Sequence, residues 1–90
     1  MLDEVKKIQG INHTEFDTTI NMWISAGKQE LINIGIKQSL LGEVITDTLI
    51  KTTIIEFVLS KLDVVNSELY ANSYSLLKDT LRHVSSYMED

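Results

Sequence analysis

The sequence predicts an all-α protein, a small bundle of about four helices, and three observations lead to this class. The segment Leu49–Leu62 is apolar over an arc of roughly 200° on a helical wheel and is longer than the about 4–8 residues of a usual strand. The segment from residue 16 to residue 34 carries one apolar stripe at helical spacing. Proline is absent, so helix ends must be formed by Gly, Asn, Asp, Ser and Thr.

Length and composition limit the function classes. We expect one domain spanning residues 1–90, with a net charge of −5 that disfavours a sequence-specific nucleic-acid binder. The chain has no cysteine, which excludes disulfides and thiolate metal sites. No stretch reaches the roughly 18 apolar residues of a membrane span, so no membrane association is expected.

The first two helices have recognisable end signals. Residues 2–9 predict a short helix that ends at Gly10, the residue type that most easily adopts a left-handed conformation. For the second helix, Asn12 and Glu15 form a predicted capping box, and Gly35 marks the end. Gly27 lies within the apolar stripe, which indicates close approach of a neighbouring helix, the central one being the best candidate.

Residues 36–46 show no helical period and predict a longer loop between helices 2 and 3. The loop is too apolar for a plain solvated connection, and loops of this length are often functional. Two interpretations stay open: its apolar side chains pack under the core, or they form a contact surface for a partner chain. The residues proposed for such an interface are Leu40, Leu41, Val44 and Ile45, together with Tyr87 on the exposed side of the last helix.

The central helix, Leu49–Leu62, must be covered from two or three directions because it is apolar on most of its surface. Thr46 or Asp47 is its predicted cap, and it ends near Asp63. An Asn- and Ser-rich turn should follow, with room for one helical turn from Ser67 to Ala71, and the last helix should start at about Ser73. The predicted buried stripe of that last helix consists of Tyr74, Leu77, Leu81, Val84 and Met88.

No motif of an enzyme active site is visible in the sequence. There is no nucleophile elbow, glycine-rich phosphate loop or HExxH pattern, so no catalytic, cofactor-binding or metal-binding residue is assigned. His13 and His83 belong to different helices and are expected on the surface. Trp23 suits the core better than an interface, although tryptophan is common in both. The pattern therefore favours an interaction or structural protein without a cofactor over an enzyme.

The order of elements resembles the head–tail connector, or head-completion adaptor, family of tailed bacteriophages and their prophages. The similar features are the Phe16–Asp17 opening of the long helix, the Gly35 end before a variable loop, the apolar helix introduced by Asp47, and the closing pattern Leu77, Leu81 and Tyr87. The resemblance implies a structural virion protein that forms a homo-oligomeric ring between the portal protein and a downstream tail or closure protein. It also implies location at the head–tail junction, with assembly in the host bacterial cytoplasm. In isolation the subunit is compatible with a monomer.

Two other classes of protein are alternatives to a connector. A small helical regulatory or partner-binding protein of a bacterial or prophage genome is the main alternative. A helix-turn-helix repressor is disfavoured because the chain is acidic and offers no basic recognition helix.

Overall fold

The computed structural model describes residues 1–89 and confirms the all-α class. Within them, two antiparallel segments meet at one isolated β-bridge, between Ile36 and Met88. The helices are α1 (Leu2–Gln9), α2 (Asp17–Asn33), α3 (Thr48–Leu62) and α4 (Ser67–Arg82), with short 3₁₀ turns at Gln38–Leu40 and Ser85–Tyr87.

Helix α3 is the central element, as the sequence predicts. Its buried residues are Ile50, Thr53, Ile54, Phe57, Val58 and Leu59. The Phe57 ring meets Trp23 of α2 and Tyr74 of α4 edge-on, with centroids 6.3 and 5.1 Å away. A Cβ added at Gly27 would stand 3.0 Å from Cδ2 of Phe57, so α2 and α3 approach closely because this residue has no side chain.

The pairings between helices give their directions. Helix α1 runs parallel to α3, because Glu4 pairs with Lys51 near their starts and the Gln9 amide donates to Asp63 at their ends. Helix α4 runs antiparallel to α3, because the Ser67 hydroxyl at its start donates to the Ser60 carbonyl near the end of α3. Both helices pack against α3, and buried residues of all three belong to one core.

Three predicted helix ends are confirmed. Gly10 and Gly35 have φ of +69° and +104°, and the following amides bond back to Lys6 and Leu31, at 2.8 and 3.0 Å. At the start of α3 the Asp47 carboxylate accepts a hydrogen bond from the Ile50 amide at 3.0 Å.

The predicted start of α2 is wrong. Residues 13–16 form a bend and a turn, the helix begins at Asp17, and no side chain caps it. The Glu15 amide donates to Nδ1 of His13, and Lys6 pairs with Asp17 at 2.8 Å, so the entry to α2 is held by α1. Phe16, predicted on the buried stripe, is 48% exposed.

The predicted start of α4 is also wrong, by about two turns. The connection after α3 occupies only residues 63–66, because Asp63 accepts hydrogen bonds from the backbone and side-chain amides of Asn66 and closes a tight turn. The helix then runs from Ser67 to Arg82, which leaves Val84 and Met88 beyond its end. Within α3 the polar residue Thr53 is buried, and its hydroxyl donates to the Leu49 carbonyl at 2.7 Å.

We predict that Phe57→Ala lowers the free energy of unfolding by about 3–5 kcal/mol, because a large buried ring leaves a cavity between three helices. Urea denaturation followed by circular dichroism measures the loss. Leu76→Ala serves as the control, since that side chain is 72% exposed. Similar midpoints for both variants would show that α3 is not the centre of the core.

Candidate protein-interaction surfaces

The loop between α2 and α3 divides into buried and exposed side chains. Leu41 and Ile45 belong to the core, and Leu40 packs against it half-buried. Val44 is 82% exposed, next to the exposed Gly42 and Glu43. The core therefore takes two of the four loop residues proposed for an interface, and Val44 is the one that stands free in the subunit.

Tyr87 lies in the segment that follows α4 rather than on the helix. It is half-buried, its hydroxyl donates to Asp47 at 2.7 Å, and its carbonyl accepts from the Lys37 amide at 2.8 Å. The Glu89 amide bonds to the Gly35 carbonyl at 2.7 Å. The C-terminal segment thus fixes both ends of the loop by hydrogen bonds. Tyr87 acts as a tether that joins this segment to Asp47 at the start of α3.

Asp47 connects this tether to the start of α3. The hydrogen bond from the Ile50 amide, followed by that from the Tyr87 hydroxyl, lowers the pKa of the Asp47 carboxyl, and the same contact raises the pKa of Tyr87. Both bonds favour the ionised carboxylate, which is the stronger acceptor.

We predict that Asp47→Ala costs about 1–2 kcal/mol near neutral pH, because it removes a helix cap and the tether contact. The lowered pKa means that Asp47 contributes fully above its ordinary value of 3.8, and that its contribution is lost as the pH falls through the folded value. Denaturation midpoints of parent and variant at several pH values should converge in acid. Tyr87→Phe, which keeps the cap, should show the smaller loss.

Glu56 is the opposite case, a carboxyl that the fold penalises. Burial raises its pKa and outweighs the opposing effect of a hydrogen bond with Ser73, while its Oε2 atom is buried without a hydrogen-bond partner among the described residues. The carboxyl is therefore more easily protonated in the folded chain than in the unfolded chain.

We predict that Glu56→Gln raises the free energy of unfolding at pH 7, because the neutral amide avoids the cost of burying a charge. A raised pKa penalises the folded state above the ordinary value of 4.5, so the advantage of the variant should vanish toward that pH. Thermal melts at neutral and acid pH measure it. A variant less stable than the parent at pH 7 would contradict this account.

A second surface feature lies at the end of the bundle where α2 starts and α3 ends. It is an apolar pocket of about 450 Å³, lined by Gln9, Ile11, Phe16, Thr19, Trp23, Lys61 and Leu62. The half-buried Trp23 forms part of the wall, and the Lys61 ammonium stands 5.7 Å from the centroid of its ring. Trp23 thus serves both the core and an accessible concave surface.

Exposed apolar side chains also stand on the α3–α4 turn and on α4. Val64 and Val65 are each 90% exposed, and Leu69 and Leu76 project from the same outer face of α4, seven residues apart. Sequence reasoning missed this set. The two adjacent valines could have indicated this exposed surface, because neither side chain can reach the core from a four-residue turn.

His13 and His83 are both exposed, and no group of three His, Cys, Asp or Glu side chains within residues 1–89 could hold a metal ion. None of the helices in that range is long and apolar enough to cross a membrane.

Comparison with protein families adds the deciding observation. The family model described as phage connector protein matches residues 1–87, nearly the whole chain. The chain belongs to this phage connector family. No curated protein and no solved structure gives a significant match. Membership gives this connector a structural role in the phage particle, in contact with other virion components.

Proposed function

We propose that this connector forms a ring between the portal protein and the downstream tail or closure protein, around the channel through which DNA leaves the head. The observation that carries the proposal is the family match over residues 1–87. The fold supports it, because a compact bundle with apolar residues at several separate places on its surface can offer the two different contact surfaces that a ring requires.

The net charge fits a conduit. The chain carries 13 acidic and 8 basic side chains, and two of its acidic groups, Glu4 and Asp17, are paired with cations within the subunit. Proteins that hold DNA neutralise its phosphates with Lys and Arg, which makes binding strong and dependent on salt. An acidic ring would line the exit channel without retaining the DNA.

The interface that we propose centres on the loop between α2 and α3. Leu41 and Ile45 anchor the loop in the core, and the C-terminal segment with Tyr87 holds its ends, so Val44 is presented on a supported base. A preorganised loop loses little entropy on binding, which favours a contact of small area. Leu40 and Tyr87, both half-buried, would border it.

We predict that Val44→Asp leaves the helical content unchanged and abolishes decoration of portal particles, because it places a charge in an apolar contact. Electron microscopy of portal particles mixed with the variant provides the measurement. Leu76→Asp is the control, a matched change at an exposed position on α4.

The proposal requires that the parent protein decorates the particles. Failure of the parent to bind any portal would contradict the proposed function. Leu41→Asp is unsuitable for the same test, because it would bury a charge in the core and destabilise the subunit.

A further inference from the structure

The pocket at the end of the bundle combines a mainly apolar lining with a single positive charge. Aromatic and aliphatic side chains such as Phe16 and Trp23 form most of its walls, Gln9 and Thr19 add polar groups, and Lys61 is its charged residue. No carboxylate contributes to the described lining. The nearby Asp63 already accepts hydrogen bonds from Gln9 and Asn66. The complementary ligand is an apolar side chain next to a carboxylate that can reach Lys61.

The volume of the pocket suits such a ligand. At about 450 Å³ it falls within the range of roughly 300–1,000 Å³ that is usual for binding pockets. The Lys61 ammonium lies over the Trp23 and Phe57 rings and forms no ion pair with another described residue. It is therefore available to an incoming carboxylate.

The chain itself carries such a ligand on its loop between α2 and α3. Glu43 and Val44 are adjacent and exposed, and Glu43 is likewise unpaired within residues 1–89. The loop leads into the start of α3 at Asp47, whereas Lys61 stands near its end, about 21 Å further along the helix axis. The ligand and the pocket are therefore different surfaces of one subunit.

We propose that Glu43 and Val44 of one copy dock into this pocket of the next copy, with Val44 against Trp23 and Glu43 beside Lys61. This inference rests on the proposed ring and names its subunit contact. The contact joins two different surfaces, so it repeats head to tail and closes into a ring when the rotation between subunits allows it.

A second exposed pair of the same chemistry, Glu68 and Leu69, fits the arrangement less well. It lies at the start of α4, at the same end of the bundle as the pocket. A contact between copies through that pair would bring like ends together and produce a two-fold dimer. It serves as the matched control.

The first experiment uses charge reversal and mixing. In Glu43→Lys the loop brings a cation to the cation of the next pocket, and in Lys61→Glu two carboxylates meet. We expect each variant alone to associate roughly tenfold more weakly than the parent, or worse. An equal mixture of the two can alternate, so that every junction joins opposite charges, and should associate like the parent. Glu68→Lys should have little effect.

Light scattering against protein concentration measures the association at low salt, where surface charges are least screened. Trp23, the single tryptophan, reports occupation of the pocket by a change in fluorescence. Circular dichroism verifies that each variant is folded. A mixture that behaves as the average of its two components, or a loss with Glu68→Lys instead of Glu43→Lys, would overturn the inference.

The second experiment traps the contact on the portal, where the ring is proposed to assemble. The chain has no cysteine, so Val44→Cys and Thr19→Cys place single thiols on the loop and in the pocket. Under mild oxidation, a mixture of the two variants bound to portal particles should give a disulfide between the loop and the pocket. In the control mixture, Ser75→Cys, at an exposed position on α4, takes the place of Thr19→Cys.

The outcomes separate the inference from the function on which it rests. Portal decoration without the cross-link and without rescue by mixing overturns the pocket contact and leaves the connector role intact. Rescue by mixing in a protein that decorates no portal supports the contact and removes the proposed ring at the portal. A parent that associates neither free nor on the portal overturns both.

Discussion

The structure depends on covering α3. This helix is apolar on most of its circumference, so no single neighbour can bury it, and α1, α2, α4 and the loop before it are all arranged around it. The packing around Phe57 is tight. Its ring contacts Trp23 of α2 and Tyr74 of α4, and it lies close to the backbone of α2 because Gly27 has no side chain. This packing buries the inner face of each neighbouring element. What remains for partners is the outer faces and the two ends of the bundle.

The loop between α2 and α3 contributes some side chains to the core and leaves others exposed to a partner. Leu41 and Ile45 are four residues apart and both enter the core, so the residues between them are pushed outward. The C-terminal segment then closes over the loop ends, and Asp47 joins the two by accepting from both Ile50 and Tyr87. One carboxylate thus sets the start of α3 and the position of the segment that supports the loop.

Sequence reasoning succeeded where one residue type decides the local structure. Gly10 and Gly35 end helices because they adopt positive φ without strain, and Asp47 caps α3 because its side chain replaces a missing hydrogen-bond partner. It failed where two local solutions competed. The Asn12 capping box was plausible, yet His13 takes the Glu15 amide and the Lys6–Asp17 pair places the helix start later.

The start of α4 and the interface were harder for a different reason. The apolar residues Leu69 and Leu76 face outward, so the first turns of α4 lack the regular buried stripe by which a helix is recognised. In the loop, which has no regular period, the sequence pattern could not tell which apolar side chains the core would take. The pocket was invisible in sequence, because its walls come from three helices and the α1–α2 connection, which only the tertiary structure brings together.

A small contact between copies suits the proposed assembly, in which free subunits stay separate until the portal gathers them. A strong head-to-tail contact would join free subunits into open filaments, because nothing in a single contact enforces closure. One exposed valine and one solvent-exposed ion pair per junction contribute little each, and the ion pair about 0–1 kcal/mol at most. Such a contact leaves dilute subunits separate. On a templating ring each bound copy raises the effective concentration of the next, so weak junctions add up without any one of them being strong. The proposed docking of Glu43 and Val44 therefore places the control of assembly in the template rather than in the affinity of the subunits.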